Sequence, residues 1–298
     1  MPPAAPARST LRTHPAPEVT QADTGLGTLF ERWALNQVLS RLRSDLNLRT
    51  AVEGPDDGMS GIAGLNSLPL GLEGVRVSLV LPHQGRAELA RRVWFFHAPE
   101  AGFETIEKWD GCRLPFEDDS FDLAWNFNVM TRQHDPRSVL AELARVSQRY
   151  VLVFVPNRFN YSFGLHRLHH RVARQPWDHG RIDLMRPQPW CRWFTELGMR
   201  VRETIWLDCP WWPDIVDFGQ LIADFCPPLK GLARRARPEN RYRWFGHELP
   251  YYRLQDYPAI QQRLDRLSFF EKSRLGVLKR TFAHHVGVLA VKEEVSSS

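Results

Sequence analysis

The sequence predicts an α/β fold in which helices cover a mostly parallel β-sheet. Short apolar segments typical of strands alternate with amphipathic helical segments from residue 26 to residue 157. The segment RYVLVFVPN at 149–157 is almost continuously apolar and β-branched, as expected for a parallel strand buried on both faces. A last strand pattern at 286–292 follows a long excursion, so the chain returns to complete the sheet.

The individual elements follow from periodicity and from local start and stop signals. Apolar residues at three- and four-residue steps predict an amphipathic helix that starts at residue 26. Asp135 and Pro136 are the cap and first residue expected of a helix. In chain order, we predict strands at 49–54, 75–82, 103–109, 121–128, 149–157, 199–208 and 286–292, and further helices at 64–74, 85–96, 135–147 and 189–198.

The chain divides into a leader and one folded domain. Residues 1–25 are rich in Pro, Ala and Thr, without the apolar core of a signal peptide, and we expect a disordered leader. Residues 26–298 are expected to form the domain. Within it, 209–280 is rich in Trp, Tyr and Pro, and we interpret it as an insertion or lid, because the strand at 286–292 must still finish the sheet.

Composition is that of a globular protein. The 298 residues are 43% hydrophobic and 24% charged. The formal charge of +5 comes mainly from arginines spread along the chain, so we expect no nucleic-acid partner. No apolar run has the roughly 18 residues that a membrane span needs. The four cysteines are widely spaced, which predicts reduced thiols and a cytoplasmic location.

The segment 109–146 carries a series of short motifs in a fixed order. Asp110 is followed by Leu-Pro-Phe at 114–116, Ser-Phe-Asp at 120–122, Asp-Pro at 135–136 and Glu-Leu-Ala-Arg-Val at 142–146. This block resembles the central block of the class I S-adenosylmethionine-dependent methyltransferases. The resemblance covers about two-thirds of the chain. It implies a Rossmann-like three-layer sandwich, with a mostly parallel seven-stranded sheet, an antiparallel last strand and S-adenosyl-L-methionine as the cofactor.

The resemblance also implies a set of cofactor residues. Asp110 lies where the family accepts a hydrogen bond from the adenine amine, and a backbone amide near Cys112 would serve a ring nitrogen. A glycine-rich turn after the first strand lets the backbone approach the methionine part of the cofactor. The predicted cofactor-binding residues are Glu53, Gly54, Asp56, Gly58, Gly61, Gly64, Leu81, Asp110, Gly111, Cys112 and Asn126.

Two departures from the family pattern lie in this set. About six extra residues separate Gly54 from Gly64, and Leu81 occupies the position of the acid that binds the ribose hydroxyls. The loss of that acceptor should weaken binding by about 1.5–3 kcal/mol. His83 or Gln84 is a candidate to compensate. Asp56 and Asp57 either bind the cofactor's ammonium group or start a turn.

Histidines are the candidate catalytic bases. We predict His179, in a compact Pro-Trp-Asp-His-Gly turn, and His134. His166, His169 and His170 recur at the spacing of one helix face, which a metal site also requires. Since no Cys or carboxylate completes the spacing, we interpret them as surface histidines and predict no metal site.

Taken together, these features predict a methyltransferase that acts on a small or lipophilic molecule, with 209–280 as a lid. The alternative is a catalytically inactive methyltransferase-like binding or partner protein, which Leu81 and the lengthened turn favour. A dinucleotide-dependent oxidoreductase is disfavoured, because GMSGIAG at 58–64 lacks the tight glycine spacing of that class.

Overall fold

The computed structural model describes residues 22–58, 61–107, 109, 111, 113–172, 174, 176–212 and 242–293. Within these residues the strands form a seven-stranded sheet and a two-stranded sheet. The strands are β1 Ala22–Thr24, β2 Thr50–Glu53, β3 Arg76–Leu81, β4 Phe103–Glu107, β5 Phe121–Phe127, β6 Ser147–Pro156, β7 Met199–Leu207, β8 Arg243–Phe245 and β9 His285–Lys292.

The large sheet has the predicted architecture. Its order is β4-β3-β2-β5-β6-β9-β7, and β2 to β6 pair in parallel. The last strand, β9, is antiparallel to both β6 and β7, between which it lies. The strand order reverses between β2 and β5, and ligands bind beside the carboxyl ends of strands at such a point. The predicted seven-stranded sheet with an antiparallel last strand is confirmed.

Helices cover both faces of the sheet. They are α1 Leu26–Leu46, α2 Leu68–Leu72, α3 Ala87–His97, α4 Pro136–Val146, α5 Phe163–Val172, α6 Pro187–Glu196, α7 Pro258–Leu267 and α8 Gly276–Phe282. One core cluster includes residues of α1, α2 and α3, and the other includes residues of α4 and α6, with apolar strand residues in both. The predicted helix at 64–74 is wrong in length, because Asp56 holds the backbone of Gly64 in a turn ahead of α2.

The small sheet joins β1, from the predicted leader, to β8, from the predicted insertion. The predicted leader of residues 1–25 ends too late, since Ala22–Thr24 form β1 and pair with β8. Residues 1–21 lie outside the described part of the chain. Asp23 of β1 is buried and accepts a hydrogen bond from the Tyr251 hydroxyl at 2.6 Å. This contact ties the start of the chain to the segment that we predicted as an insertion.

The described residues of the 209–280 segment pack on α1. The Asn36 side chain donates to the Tyr251 carbonyl at 3.0 Å, and the buried Leu249 and Leu264 belong to the same core cluster as α1. The Trp212 ring lies 5.6 Å from the ring of Phe30. The rest of the aromatic lid predicted from sequence falls in 213–241, outside the described residues. Among the described residues, no helix combines the length and hydrophobicity needed to cross a membrane.

Candidate functional site

A cavity of about 400 Å³ opens at one edge of the sheet. Asn128, which follows β5, and Pro156, which ends β6, line it, as does Gly61 of the glycine-rich turn. His285 also lines it, from the start of β9. Because β9 is antiparallel, its first residue pairs with the last residues of β6 and β7. The cavity therefore lies at the carboxyl edge of the parallel strands.

One wall of the cavity carries the half-buried Glu31 with His284 and His285, which form an acid–histidine cluster with the buried Asp208. The His285 Nε2 lies 2.9 Å from Glu31 Oε2, and the His284 Nδ1 lies 2.8 Å from Asp208 Oδ2. Burial raises the pKa of the Asp208 carboxyl, and the nearby His284 opposes that rise. These side chains come from α1, from the end of β7 and from the start of β9, so the sheet edge brings them together.

Two buried acceptors beside this cluster have no hydrogen-bond partner among the described residues. They are Asn128 Oδ1, at the cavity wall, and Asp208 Oδ1. The Asn128 amide is oriented by its Nδ2, which lies 3.0 Å from His285 Nδ1. Buried acceptors without a partner are rare in native proteins, and Asn128 Oδ1, at the cavity wall, is available to the donors of a ligand.

Another part of the cavity wall is a turn that carries His179. The turn is fixed to the segment after β5, because Arg181 N donates to the Thr131 carbonyl at 2.8 Å and Thr131 Oγ1 donates to the His179 carbonyl at 3.2 Å. Gly180 has a φ of 97°, and a Cβ there would meet the Thr131 carbonyl oxygen at 2.6 Å. Only glycine combines this conformation with this close approach.

The carboxylate of Glu53 is engaged inside the protein. Glu53 is 1% exposed, and its carboxylate accepts hydrogen bonds from Asn66 Nδ2 at 3.1 Å and Ser67 Oγ at 2.6 Å. Burial, with the neighbouring Asp56 carboxylate, raises the pKa of Glu53 to about 8. The hydrogen bonds from Ser67 and Asn66 oppose this rise.

Asp56 organises the lengthened turn. Its carboxylate accepts from Gly58 N at 2.7 Å and from Gly64 N at 2.8 Å. Of the two interpretations of this acid, the structure shows the turn, and burial raises the pKa of the carboxyl. The carboxylate of the adjacent Asp57 pairs with Arg132.

At the glycines of the turn, a Cβ would mostly meet other atoms of the protein. A Cβ at Gly54 would lie 2.8 Å from Val80 Cβ, and one at Gly64 would lie 2.9 Å from Leu79 Cδ2. At Gly58 a Cβ would overlap the Arg86 guanidinium. Gly61 lines the cavity and has a φ of 98°, and a Cβ there would lie 2.8 Å from Asp23 Oδ1.

The remaining predicted site residues lie in different surroundings. Leu81 ends β3, fully buried among apolar side chains, and Asn126 donates to the Pro55 carbonyl at 2.7 Å. Gly111 is exposed with a φ of 84°. Asp110 and Cys112 lie outside the described residues. His134 is exposed and does not line the cavity, whereas His179 does.

Sequence reasoning missed the acid–histidine cluster and did not include Asn128 among the predicted site residues. The carboxyl ends of the parallel strands were the positions to inspect, and Asp208 directly follows such an end. His284 and His285 precede a strand, so only its antiparallel direction brings them to this edge. The pair of adjacent histidines before the last strand could have indicated this cluster. Nothing in the sequence around Glu31, on α1, indicated a functional residue.

Comparisons with known proteins bear on the fold. A family model described as a methyltransferase domain matches residues 69–154, which begin after the glycine-rich turn. No curated protein matches the chain significantly. Among solved structures, an S-adenosylmethionine-dependent methyltransferase from Thermotoga maritima is 14% identical with a TM-score of 0.50, over 90% of this chain and 92% of that one.

Two further solved structures are more distant. Magnesium protoporphyrin IX methyltransferase from Synechocystis PCC 6803, with bound SAH, is 14% identical with a TM-score of 0.47, over 59% of this chain and 77% of that one. A methyltransferase from Aquifex aeolicus is 13% identical with a TM-score of 0.43, over 59% and 86%. Residues 69–154 thus match a methyltransferase domain, and the chain has the fold of the class I S-adenosylmethionine-dependent methyltransferases.

Proposed function

We propose that this protein is an S-adenosylmethionine-dependent methyltransferase whose methyl acceptor is a small polar molecule bound in the cavity. The observation that carries the proposal is the position of the cavity. It joins the carboxyl ends of β5 and β6 to Gly61 of the glycine-rich turn, in a fold shared with methyltransferases. A ligand there would lie beside the part of the fold where the family binds its cofactor.

The lining favours a polar acceptor over a lipophilic one. Most of the side chains around the cavity are polar, including Asp23, Glu31, Asn157 and Asn160. The unpartnered Asn128 Oδ1 adds an acceptor at the wall. Burying apolar ligand surface against Asn128 Oδ1 would leave this acceptor without a hydrogen bond, at a cost of about 1–3 kcal/mol. A ligand with an amine or hydroxyl donor satisfies it.

The residues present fit the cofactor only in part. Leu81 offers no acceptor to ribose hydroxyls, and the carboxylates of Glu53 and Asp56 already hold Asn66, Ser67 and the turn amides. The backbone at Gly61 and the sequence-predicted Asp110 remain for binding. We therefore expect an affinity roughly ten- to a hundredfold below that of a site with the ribose acid.

The cavity residues supply positioning and a proton acceptor. S-adenosylmethionine supplies an activated methyl group, and transfer from it depends mainly on alignment of the acceptor. An amine or hydroxyl acceptor loses a proton when it is methylated. The Glu31 carboxylate, held by His285, lines the cavity and is the proton acceptor that we propose. His179 and His134 stay predictions as bases.

A second function is a methyltransferase-like protein that binds a small molecule without catalysis. The specific observation in its favour is Leu81, fully buried in an apolar cluster where the family has an acid. On this alternative the cavity would still bind its polar ligand, and S-adenosylmethionine would not bind.

Calorimetric titration with S-adenosylmethionine distinguishes the two functions. We expect saturable heat at ligand concentrations up to the millimolar range, and weaker binding for Asp110→Ala, because the predicted adenine acceptor is lost. Asp118→Ala is the control, since this acid pairs with Arg145 on the surface. Absence of heat from the wild-type protein would favour the non-catalytic alternative.

A further inference from the structure

We infer that His166, His170 and His179 form a binding site for one divalent transition-metal ion, with Zn²⁺ the first candidate. His166 and His170 lie one turn apart on α5, and His179 comes from the turn at the cavity wall. Their ligand nitrogens all lie within 4.8 Å of one another. The site uses none of the predicted cofactor residues, but it takes His179, a predicted base, as one of its ligands.

Two of the three distances between the nitrogens are close to those in a tetrahedral metal site. The His170 Nε2 lies 3.2 Å from His166 Nε2 and 3.0 Å from His179 Nε2. Ligands bound tetrahedrally at a Zn–N distance of about 2.0–2.1 Å are separated by about 3.3 Å. The three nitrogens therefore approach the arrangement that a bound ion would impose on them.

Hydrogen bonds between the neutral rings do not explain the two short contacts of His170 Nε2 as well as a shared metal ion does. The His170 Nδ1 lies 3.0 Å from the Pro176 carbonyl oxygen, which can only accept, so Nδ1 carries a proton. In the neutral ring, Nε2 then has a single lone pair to offer to two neighbouring rings. A cation shared by three lone pairs satisfies all the rings together.

The surroundings resemble the outer shell of a protein metal site. The contact of His170 Nδ1 with the Pro176 carbonyl fixes the tautomer and ring orientation that a ligand through Nε2 requires. The Trp177 ring packs against all three histidines, at 5.6, 5.3 and 4.9 Å between ring centroids. The Asp178 carboxylate lies 3.5 Å from His179 Nε2 and adds negative potential.

The composition of the ligand set indicates what the ion would do. Three imidazoles suit Zn²⁺ and the neighbouring first-row dications, whereas Mg²⁺ and Ca²⁺ prefer oxygen ligands. A tetrahedral ion with three protein ligands keeps one position for water or a ligand. Since His166 and His179 line the cavity, that position is accessible to a molecule bound there. The sequence prediction of surface histidines required a Cys or carboxylate to complete the set, but three histidines suffice for an open site.

Metal titration of the full-length protein tests this inference. After treatment with a chelator, the protein is titrated with Zn²⁺, and with Co²⁺ as a spectroscopic probe, in the absence of S-adenosylmethionine. We expect one tightly bound equivalent, a Co²⁺ spectrum of tetrahedral intensity and a rise in thermal midpoint with metal. His166→Ala and His170→Ala should each lose the tight equivalent and the spectrum.

Two further variants separate this site from other donors. His169→Ala, on the same helix but outside the three ligands, should bind like the wild type. Glu31→Gln should also retain the metal, although Glu31, Asp208 and His285 form another cluster of potential ligands. Circular dichroism establishes that each variant is folded. The inference is overturned if the chelated wild type binds no metal, if its Co²⁺ spectrum is octahedral, or if folded His170→Ala binds as the wild type does.

Discussion

Arg32→Met should destabilise the protein by about 3–5 kcal/mol, the cost of removing one partner of a buried ion pair. Arg32 is 1% exposed, and its Nε donates to the carboxylate of Asp23, which is 4% exposed, at 3.3 Å. A second nitrogen donates to Asn66 Oδ1. The substitution leaves the Asp23 carboxylate with the Tyr251 hydroxyl but without the guanidinium.

The control for Arg32 is an arginine on the same helix. Arg41 pairs with Asp45 and Glu203 on the surface, so Arg41→Met should cost no more than about 1 kcal/mol. The double variant Arg32→Met/Asp23→Asn should be more stable than Arg32→Met, because the isolated buried charge is gone. Urea unfolding followed by circular dichroism measures all three. A loss below 1 kcal/mol for Arg32→Met would contradict the importance of this pair.

Glu53→Gln should remove part of the pH dependence of stability. Burial and the nearby Asp56 raise the pKa of Glu53 to about 8, from an ordinary value of about 4.5. Between these values the folded protein holds a proton that the unfolded chain has released, so the free energy of unfolding falls as pH rises. The fall is at most about 1.4 kcal/mol for each pH unit. Because glutamine does not titrate, Glu53→Gln should lack this contribution to the fall in the free energy of unfolding.

The measurement compares unfolding free energies of wild type and Glu53→Gln from pH 5 to pH 8. The difference between the two curves reports Glu53 together with the neighbouring Asp56, since the raised pKa values of Asp208 and Glu271 affect both proteins. Glu88→Gln is the control, because Arg92 lowers the pKa of that exposed carboxyl and it titrates below this range. Parallel curves for wild type and Glu53→Gln would show that Glu53 is ionised throughout.

The sequence predicted the parts of the fold that depend on local pattern. The cap at Asp135 is present, with Ser138 N bonded to its carboxylate at 3.1 Å, and the last strand joins the sheet antiparallel as the family resemblance implied. Periodicity did not predict how α2 is shortened, since this depends on a side chain twelve residues upstream. A contact between Asp56 and the Gly64 amide leaves no periodic signal.

The candidate site was predicted less completely, because its residues meet only in the folded chain. Glu31 and His285 are 254 residues apart in sequence, and their contact depends on the direction of β9 and on the packing of α1. The sequence identified the three histidines of the proposed metal site as potential ligands, but it did not predict that they come together. Their convergence depends on Gly180, whose turn returns His179 to α5.

Transfer of a labelled methyl group tests the central claim most directly. The protein is incubated with S-adenosylmethionine labelled in its methyl group and with the small-molecule fraction of a cell extract, and products are separated by polarity. The account predicts label in a small polar product, reduced by about a hundredfold in Glu31→Gln and unchanged in Glu88→Gln. No labelled product with a wild-type protein that binds S-adenosylmethionine, or equal labelling by Glu31→Gln, would contradict it.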